Sequence, residues 1–310
     1  MSLTTSPKEP QPSTGERPRS IQEQFVDAAR DGKLDLVKDL LQSGAFVDTK
    51  HAGWTALGRA AKEGHEAVVK FLVEKGSDLD TEMDVGWGIL PGGGSALTWA
   101  AGRGHLKIVQ YLVARGAKLD ILTNKPVFFG TGGTGVTMAA GNGKLDTVKF
   151  LLEAGADRGN KDGTPGWDAF LCACDQGQFS VVVYFVETRK FNIHRTNEKG
   201  QTPIFAAALG GRHNVMEYLV GKGASINIQD TDGDGLLHHI ATKGQKKTAV
   251  WLRRRGAYLR ATNRAGKTPL DIATEKARGT EGDTYAPLVE TLDWNKPGPT
   301  SDDSEGCILM

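Results

Sequence analysis

The feature that most constrains this chain is a glycine that returns at positions 32, 64, 104, 143, 177, 211 and 244, at intervals of 32, 40, 39, 34, 34 and 33 residues. The stretch from Gly94 to Asp120 shows what surrounds it. A polar turn leads into a first helix carrying Leu97, Ala100 and Ala101, and Gly104-His105 makes a corner. A second helix then aligns Ile108, Val109, Leu112 and Val113 at three- and four-residue spacing, the mark of one apolar face. Gly116 closes it, as glycine does where the backbone must turn left-handed. A unit this short cannot bury its own apolar face and needs copies of itself on either side.

The copies are visible along the chain. Small pairs precede the corner glycine at Ala28-Ala29, Ala60-Ala61, Ala100-Ala101, Ala139-Ala140, Ala173-Cys174 and Ala207-Ala208, degrading to Ile240-Ala241. Gly-Ala or Gly-Ser closes a second helix at 44-45, 76-77, 116-117, 155-156, 223-224 and 256-257. Thr202-Pro203-Ile204-Phe205-Ala206-Ala207 and Thr268-Pro269-Leu270-Asp271-Ile272-Ala273 carry a start signal that Thr55-Ala56-Leu57 and Ser95-Ala96-Leu97 keep without the proline. The unit from Trp167 to Asn192 departs most, with Thr188-Arg189-Lys190 in place of the closing Gly-Ala.

These motifs resemble the ankyrin-repeat family, whose signature is Thr-Pro-Leu-His-x-Ala. The resemblance covers about residues 21 to 292 and implies an all-α repeat solenoid of seven to eight helix-turn-helix units. Two intervals near 40 imply enlarged loop insertions, Thr81 to Gly92 and Ile121 to Thr131. Residues 1–20, rich in Pro, Ser and Thr, read as a disordered tail, and residues 293–310 as a flexible one.

Composition narrows the function classes. A net charge of +1 gives no global pull toward nucleic acid. Cys172, Cys174 and Cys307 cannot form a disulfide framework, which points to a reducing compartment, and no apolar run approaches the length of a membrane span. Three motif matches lead nowhere firm. Gly130-Thr-Gly132-Gly133-Thr-Gly135 fits a dinucleotide fingerprint, but the repeat register puts it in a turn with no room for a second parallel strand. Asp230-Thr-Asp232-Gly-Asp234-Gly235 opens like a calcium loop, yet its twelfth position is Ala241 where a bidentate Glu is needed. His238 and His239 are adjacent on a helix and point about 100° apart. No catalytic constellation, cofactor site or metal site is expected, and His238 falls at the family's His position, where it satisfies backbone groups.

The resemblance implies a concave groove built from loop tips and first-helix positions. Carried onto this chain these are Trp54, Arg59, Trp99, Arg103, Met138, Asn142, Trp167, Gln201 and His239. Tryptophan and arginine are enriched in binding hot spots, although each indole is as readily explained by packing between neighbouring loops. The insertions carry Trp87, Ile89, Leu90, Phe128 and Phe129, which form either a hydrophobic lip for a partner or covers for one another.

The chain closes on Cys307-Ile308-Leu309-Met310, the prenylation signal, with Met favouring farnesyl. One lipid chain binds membranes marginally, so stable anchoring takes a second signal. Lys243 to Lys267 offers one: nine basic residues, Lys246, Lys247, Arg253, Arg254, Arg255 and Arg260 among them, and no acidic one. Asp302, Asp303 and Glu305 beside the cysteine partly oppose it. The expectation is a monomeric, non-enzymatic adaptor on the cytoplasmic face of a membrane. Its partners are another protein, protein farnesyltransferase and an anionic membrane surface, with no nucleic acid. Two alternatives stay open: an enzyme or small-molecule binder around Trp87, Trp99 and Phe128, and a soluble effector or regulator whose terminal motif is inert.

Overall fold

The computed structural model describes residues 19–84, 93–123, 126–128, 131–156, 166–279 and 282–296. Eight helix pairs follow one another along them. They are α1 (Ile21–Arg30) with α2 (Leu34–Gln42), α3 (Ala56–Glu63) with α4 (Glu66–Glu74), α5 (Ala96–Arg103) with α6 (Leu106–Ala114), and α7 (Gly135–Gly141) with α8 (Leu145–Glu153). Then come α9 (Trp167–Gln176) with α10 (Phe179–Val183), α11 (Pro203–Leu209) with α12 (His213–Gly221), α13 (Leu236–Lys243) with α14 (Lys246–Arg254), and α15 (Pro269–Ala277) with α16 (Gly282–Leu292). The all-α repeat solenoid expected from the sequence is what forms.

Among the described residues, strands are confined to two small antiparallel hairpins. In the first, β1 (Lys50–His51) pairs with β2 (Trp54–Thr55) across a turn in which Ala52 and Gly53 both have positive φ. In the second, β3 (Pro126–Phe128) pairs with β4 (Thr131–Gly132). The second insertion is therefore partly a β-ribbon. Its antiparallel pairing is incompatible with a dinucleotide-binding βαβ unit, in which the strands run parallel. The helix that follows starts on an ordinary cap, with the Thr134 hydroxyl accepting the Thr137 N–H.

The first helices of successive repeats pack against one another far more closely than the second helices do. The cause is in the sequence. The paired alanines at 28-29, 60-61, 100-101, 139-140 and 207-208 are all buried and present almost no side chain to separate neighbours. At Gly102 an added Cβ would lie 3.3 Å from Met138 Cβ, and at Gly135 one would lie 3.0 Å from Leu97 Cδ2. A stack tighter along its first-helix row curves toward that row, which makes it the concave side. Second helices contribute larger residues to the core: Val68, Val69 and Leu72, then Ile108, Val109 and Leu112, then Val148 and Leu151.

The corner glycine serves two purposes. Gly32, Gly64, Gly104, Gly143, Gly177, Gly211 and Gly244 all have positive φ, where an L side chain is strained. The bare corner also receives a side chain from the next repeat. His65 donates Nε2–H to the carbonyl of Arg30 at 2.7 Å, and His105 donates to that of Lys62 at 3.0 Å. Gln178 reaches Gly141 at 2.9 Å, Arg212 reaches Asp175 at 2.8 Å, and Gln245 reaches Leu209 at 2.8 Å. The Tyr285 hydroxyl on α16 closes the series on Thr242 at 2.7 Å. Each accepting carbonyl lies two residues before a corner glycine, among the last carbonyls of a first helix, which have no partner within the helix. A Cβ at Gly32 would stand 2.5 Å from the His65 ring, and one at Gly64 2.6 Å from the His105 ring. Lys144 is the exception: its aliphatic stem lies against Gly104, with no side-chain hydrogen bond among the described residues.

The fifth repeat differs in both of its helices. α10 runs into a π-helical turn, Tyr184–Thr188, and the left-handed position that glycine fills elsewhere is taken by Lys190 at φ 57°. An aromatic cluster holds the repeat together, with ring centroids of Phe170 and Phe185 5.5 Å apart and of Phe185 and Phe191 4.9 Å apart. In urea denaturation, Lys190→Gly is expected to stabilise the fold by about 1 kcal/mol by relieving the left-handed strain. Gly64→Ala is expected to destabilise it by about 1–2 kcal/mol or more, because it adds that strain and displaces His105.

Candidate functional site

The accessible first-helix positions lie in a row along the concave side. In the second and third repeats they are Arg59, Lys62 and Glu63 on α3 and Arg103 on α5. Asn142 continues the row after α7, Asp175 and Gln176 follow on α9, and Thr242 and Lys243 on α13. The rest of α5 and α7 is buried.

Under this row the tryptophans pack. Trp54 is 5% exposed, Trp99 9% and Trp167 4%. The Trp54 and Trp99 rings meet at 5.0 Å with a 57° tilt, and the Trp99 indole N–H donates to the Gly93 carbonyl at 3.2 Å. Of the two explanations open for each indole, packing is the one the structure shows. The β1–β2 hairpin delivers Trp54, and the Thr55 cap of α3 anchors it, with the Thr55 hydroxyl accepting the Gly58 N–H at 3.0 Å. Met138 is likewise buried, and Gln201 is buried beside the loop that carries Asp230.

Cations cover the indoles. The Arg59 guanidinium stands 4.4 Å from the Trp54 ring, and Lys62 Nζ is 4.8 Å from Trp54 and 5.9 Å from Trp99. Burial holds both below their ordinary pKa; Arg30 adds to this at Arg59, and Arg59 and Arg103 add to it at Lys62, while Glu63 opposes it in both. In the fifth repeat Arg195 lies 4.6 Å over Trp167.

The Asp230–Gly235 loop is a hydrogen-bonded turn. Asp230 Oδ1 accepts the backbone N–H of Asp232 at 2.9 Å and of Asp234 at 3.0 Å. Its Oδ2 lies 2.7 Å from His239 Nε2, and Asp234 Oδ1 accepts from Asn263 at 2.7 Å. Ligand atoms of Asp230, Asp234 and His239 fall within 4.8 Å of one another, a grouping the adjacency of His238 and His239 does not suggest from sequence. Protein donors already occupy those oxygens. His238 is buried: its Nδ1 accepts the Gly235 N–H at 3.1 Å and its Nε2–H donates to Lys267 at 3.1 Å. Those are the backbone groups its signature position implies.

The basic stretch is only partly available. Arg253 donates to the carbonyls of Thr291, Asp293 and Lys296, gripping the end of α16. Arg255 pairs with Glu217 and stacks 3.9 Å over Trp251, and Arg260 lies 5.1 Å from the Trp294 ring. Arg254 is exposed and also engaged. Lys246 and Lys247, at the start of α14, are exposed. Of the other sequence candidates, Trp87, Ile89, Leu90, Phe129 and Cys307 lie outside the described residues, and Phe128 is described in backbone alone.

A family model described as "Ankyrin repeats (3 copies)" matches residues 25–123 and 136–230. The chain is an ankyrin-repeat protein. It is 36% identical over 103 residues to human "Ankyrin repeat and KH domain-containing protein 1" and 35% identical over 104 residues to "Ankyrin repeat and KH domain-containing protein mask" of Drosophila melanogaster. Each match takes in 33% of this chain but only 4% and 3% of those two proteins. Human "Protein phosphatase 1 regulatory subunit 27" is 32% identical over 103 residues, 33% of this chain and 67% of that protein.

Two histidines make stability pH-dependent. Burial holds His238 below the ordinary imidazole range, and burial with the Arg255 and Lys247 charges does the same to His213. The unfolded chain then binds protons that the folded chain refuses. Stability is complete above about pH 6.5 and falls as pH drops below it. The urea midpoint is expected to be lower at pH 5.5 than at pH 7.5, and His213→Gln is expected to shrink the difference.

Proposed function

We propose that this ankyrin array is a non-enzymatic adaptor that binds another protein through its first-helix face and is tethered by a farnesyl group on Cys307. The observation that carries the adaptor reading is the row itself. Side chains of consecutive repeats stand accessible along one line, above first helices whose terminal carbonyls the next repeat already holds. Ankyrin-repeat relatives, a phosphatase regulatory subunit among them, favour a binding role over a catalytic one.

Support for the tether is the order Cys307-Ile308-Leu309-Met310 and the route of the chain toward it. Arg253 holds the Lys296 carbonyl, so Lys296 lies beside the last turn of α14, the helix whose first turn carries Lys246 and Lys247. A lipid on Cys307 would hold the array near an anionic leaflet, where each exposed lysine adds up to about 1 kcal/mol. That contribution is smaller than nine cations would make, because Arg253 and Arg255 are engaged within the fold.

The expected mass of the protein from a eukaryotic cell is that of a farnesylated, trimmed chain, reverting to full length with a farnesyltransferase inhibitor. Cys307→Ser is expected to move the protein to the soluble fraction. Unchanged membrane association in that variant removes the tether and leaves the adaptor. Lys246→Gln with Lys247→Gln is expected to weaken binding of the lipidated protein to phosphatidylserine vesicles, by up to about fivefold per residue.

A further inference from the structure

Several cations among the described residues sit beside a carboxylate. Lys50 meets Asp84 at 2.7 Å, Lys70 meets Glu66 at 2.6 Å, and Lys222 meets Glu187 at 2.6 Å. Arg59 and Arg103 belong to the cations that have no ion-pair partner among the described residues. Between them Lys62 has only Glu63, at 3.7 Å. On the face where the repeats expose their first helices, Arg59 and Lys62 thus stand over the Trp54–Trp99 pair with the Arg103 charge felt at Lys62, while Glu63 and, from the first repeat, Asp27 act on Arg59.

We propose that this face, with Arg59 and Arg103 on either side of Lys62, docks an acidic peptide segment of a protein partner through its Asp and Glu side chains. The proposal rests on the adaptor reading and names the chemistry of the partner.

A guanidinium is a planar fork of donors that matches a carboxylate bidentately, and two unpaired ones are available. The indole floor keeps water from one side of Arg59 and Lys62, which strengthens attraction to an incoming carboxylate relative to open solvent. An acidic partner would also relieve the mutual repulsion of cations already pushed together and partly buried. The extent of the patch selects the occupant. Along the row after Arg103 come neutral Asn142 and then Asp175, and on the other side Asp27 and Asp31 hold Arg30. A long polyanion such as a nucleic acid strand would meet carboxylates at both ends. A short acidic segment crossing two repeats meets three cations and one carboxylate, Glu63.

The test uses the full chain and a fluorescein-labelled peptide alternating Glu with Leu, followed by fluorescence anisotropy at low and high salt. Saturable binding that weakens with salt is expected. It should weaken at least about tenfold in Arg103→Glu, a change at an exposed position, and in Arg59→Gln with Arg103→Gln. Circular dichroism and the urea midpoint check that both variants are folded. The same peptide with Gln for Glu should not bind, and Lys246→Gln with Lys247→Gln should bind as the parent does. The proposal is overturned if the Glu peptide does not bind, if Arg103→Glu binds it equally well, or if affinity disappears only with the lysine pair. It is equally overturned if an oligoadenylate RNA binds in an Arg103-dependent way and the peptide does not. A photo-crosslinking residue at Asn142 tests the adaptor reading separately. A protein captured there while the acidic peptide fails leaves the adaptor standing and removes the acidic partner.

Discussion

The array depends on a hydrogen bond that crosses from one repeat to the one before it. A first helix ends with carbonyls that its own turns cannot satisfy. The glycine corner clears space beside them, and the residue after the next corner glycine reaches back with an N–H. Histidine, glutamine and arginine all perform this at His65, His105, Gln178, Arg212 and Gln245, and Tyr285 does it from a helix of different construction. The donor chemistry varies while the geometry does not. Packing fixes the geometry: Ala-rich first helices approach closely, and the clamp spans only a short gap.

The same close approach shapes the binding face. Indoles that would make strong anchors if exposed are drawn into the seams between repeats and support the cations above them. Trp54 and Trp99 therefore act on a partner only indirectly, by positioning Arg59 and Lys62 and by limiting how much water reaches them. At the other end of the array the cations are turned to internal use, with Arg253 closing α16 and Arg255 tied to Glu217 and Trp251. Two clusters that look alike in sequence thus have different availability.

What the sequence discloses follows from the range over which each interaction acts. The corner glycines, alanine pairs and Thr-Pro starts are local, and the helix pairs and their order are readable from them. The clamp joins residues 35 or more positions apart and leaves no local mark beyond a polar residue after glycine. Its role at His65 or Gln178 is therefore invisible without coordinates. Lys190 shows the converse case. The loss of Gly-Ala is plain in the sequence, but that the backbone keeps its left-handed turn regardless, next to a π-helical one, is set by the Phe170–Phe185–Phe191 cluster. The basic stretch misleads for a related reason, since charge is counted along the chain and availability is decided by what lies across from it.

Because every clamp is donated from the later repeat to the earlier one, the array has a direction. A ribosome releases each of these carbonyls before the donor that satisfies it, so they are satisfied in the order of synthesis but one unit late. When α1 has emerged, the Arg30 carbonyl waits for His65, and when α13 has emerged, that of Thr242 waits for Tyr285. At synthesis rates of about 5–20 residues per second, each first helix stays uncapped for a few seconds after it appears. The growing end of the nascent array is thus always its least finished part, and completion moves along the chain one unit behind translation.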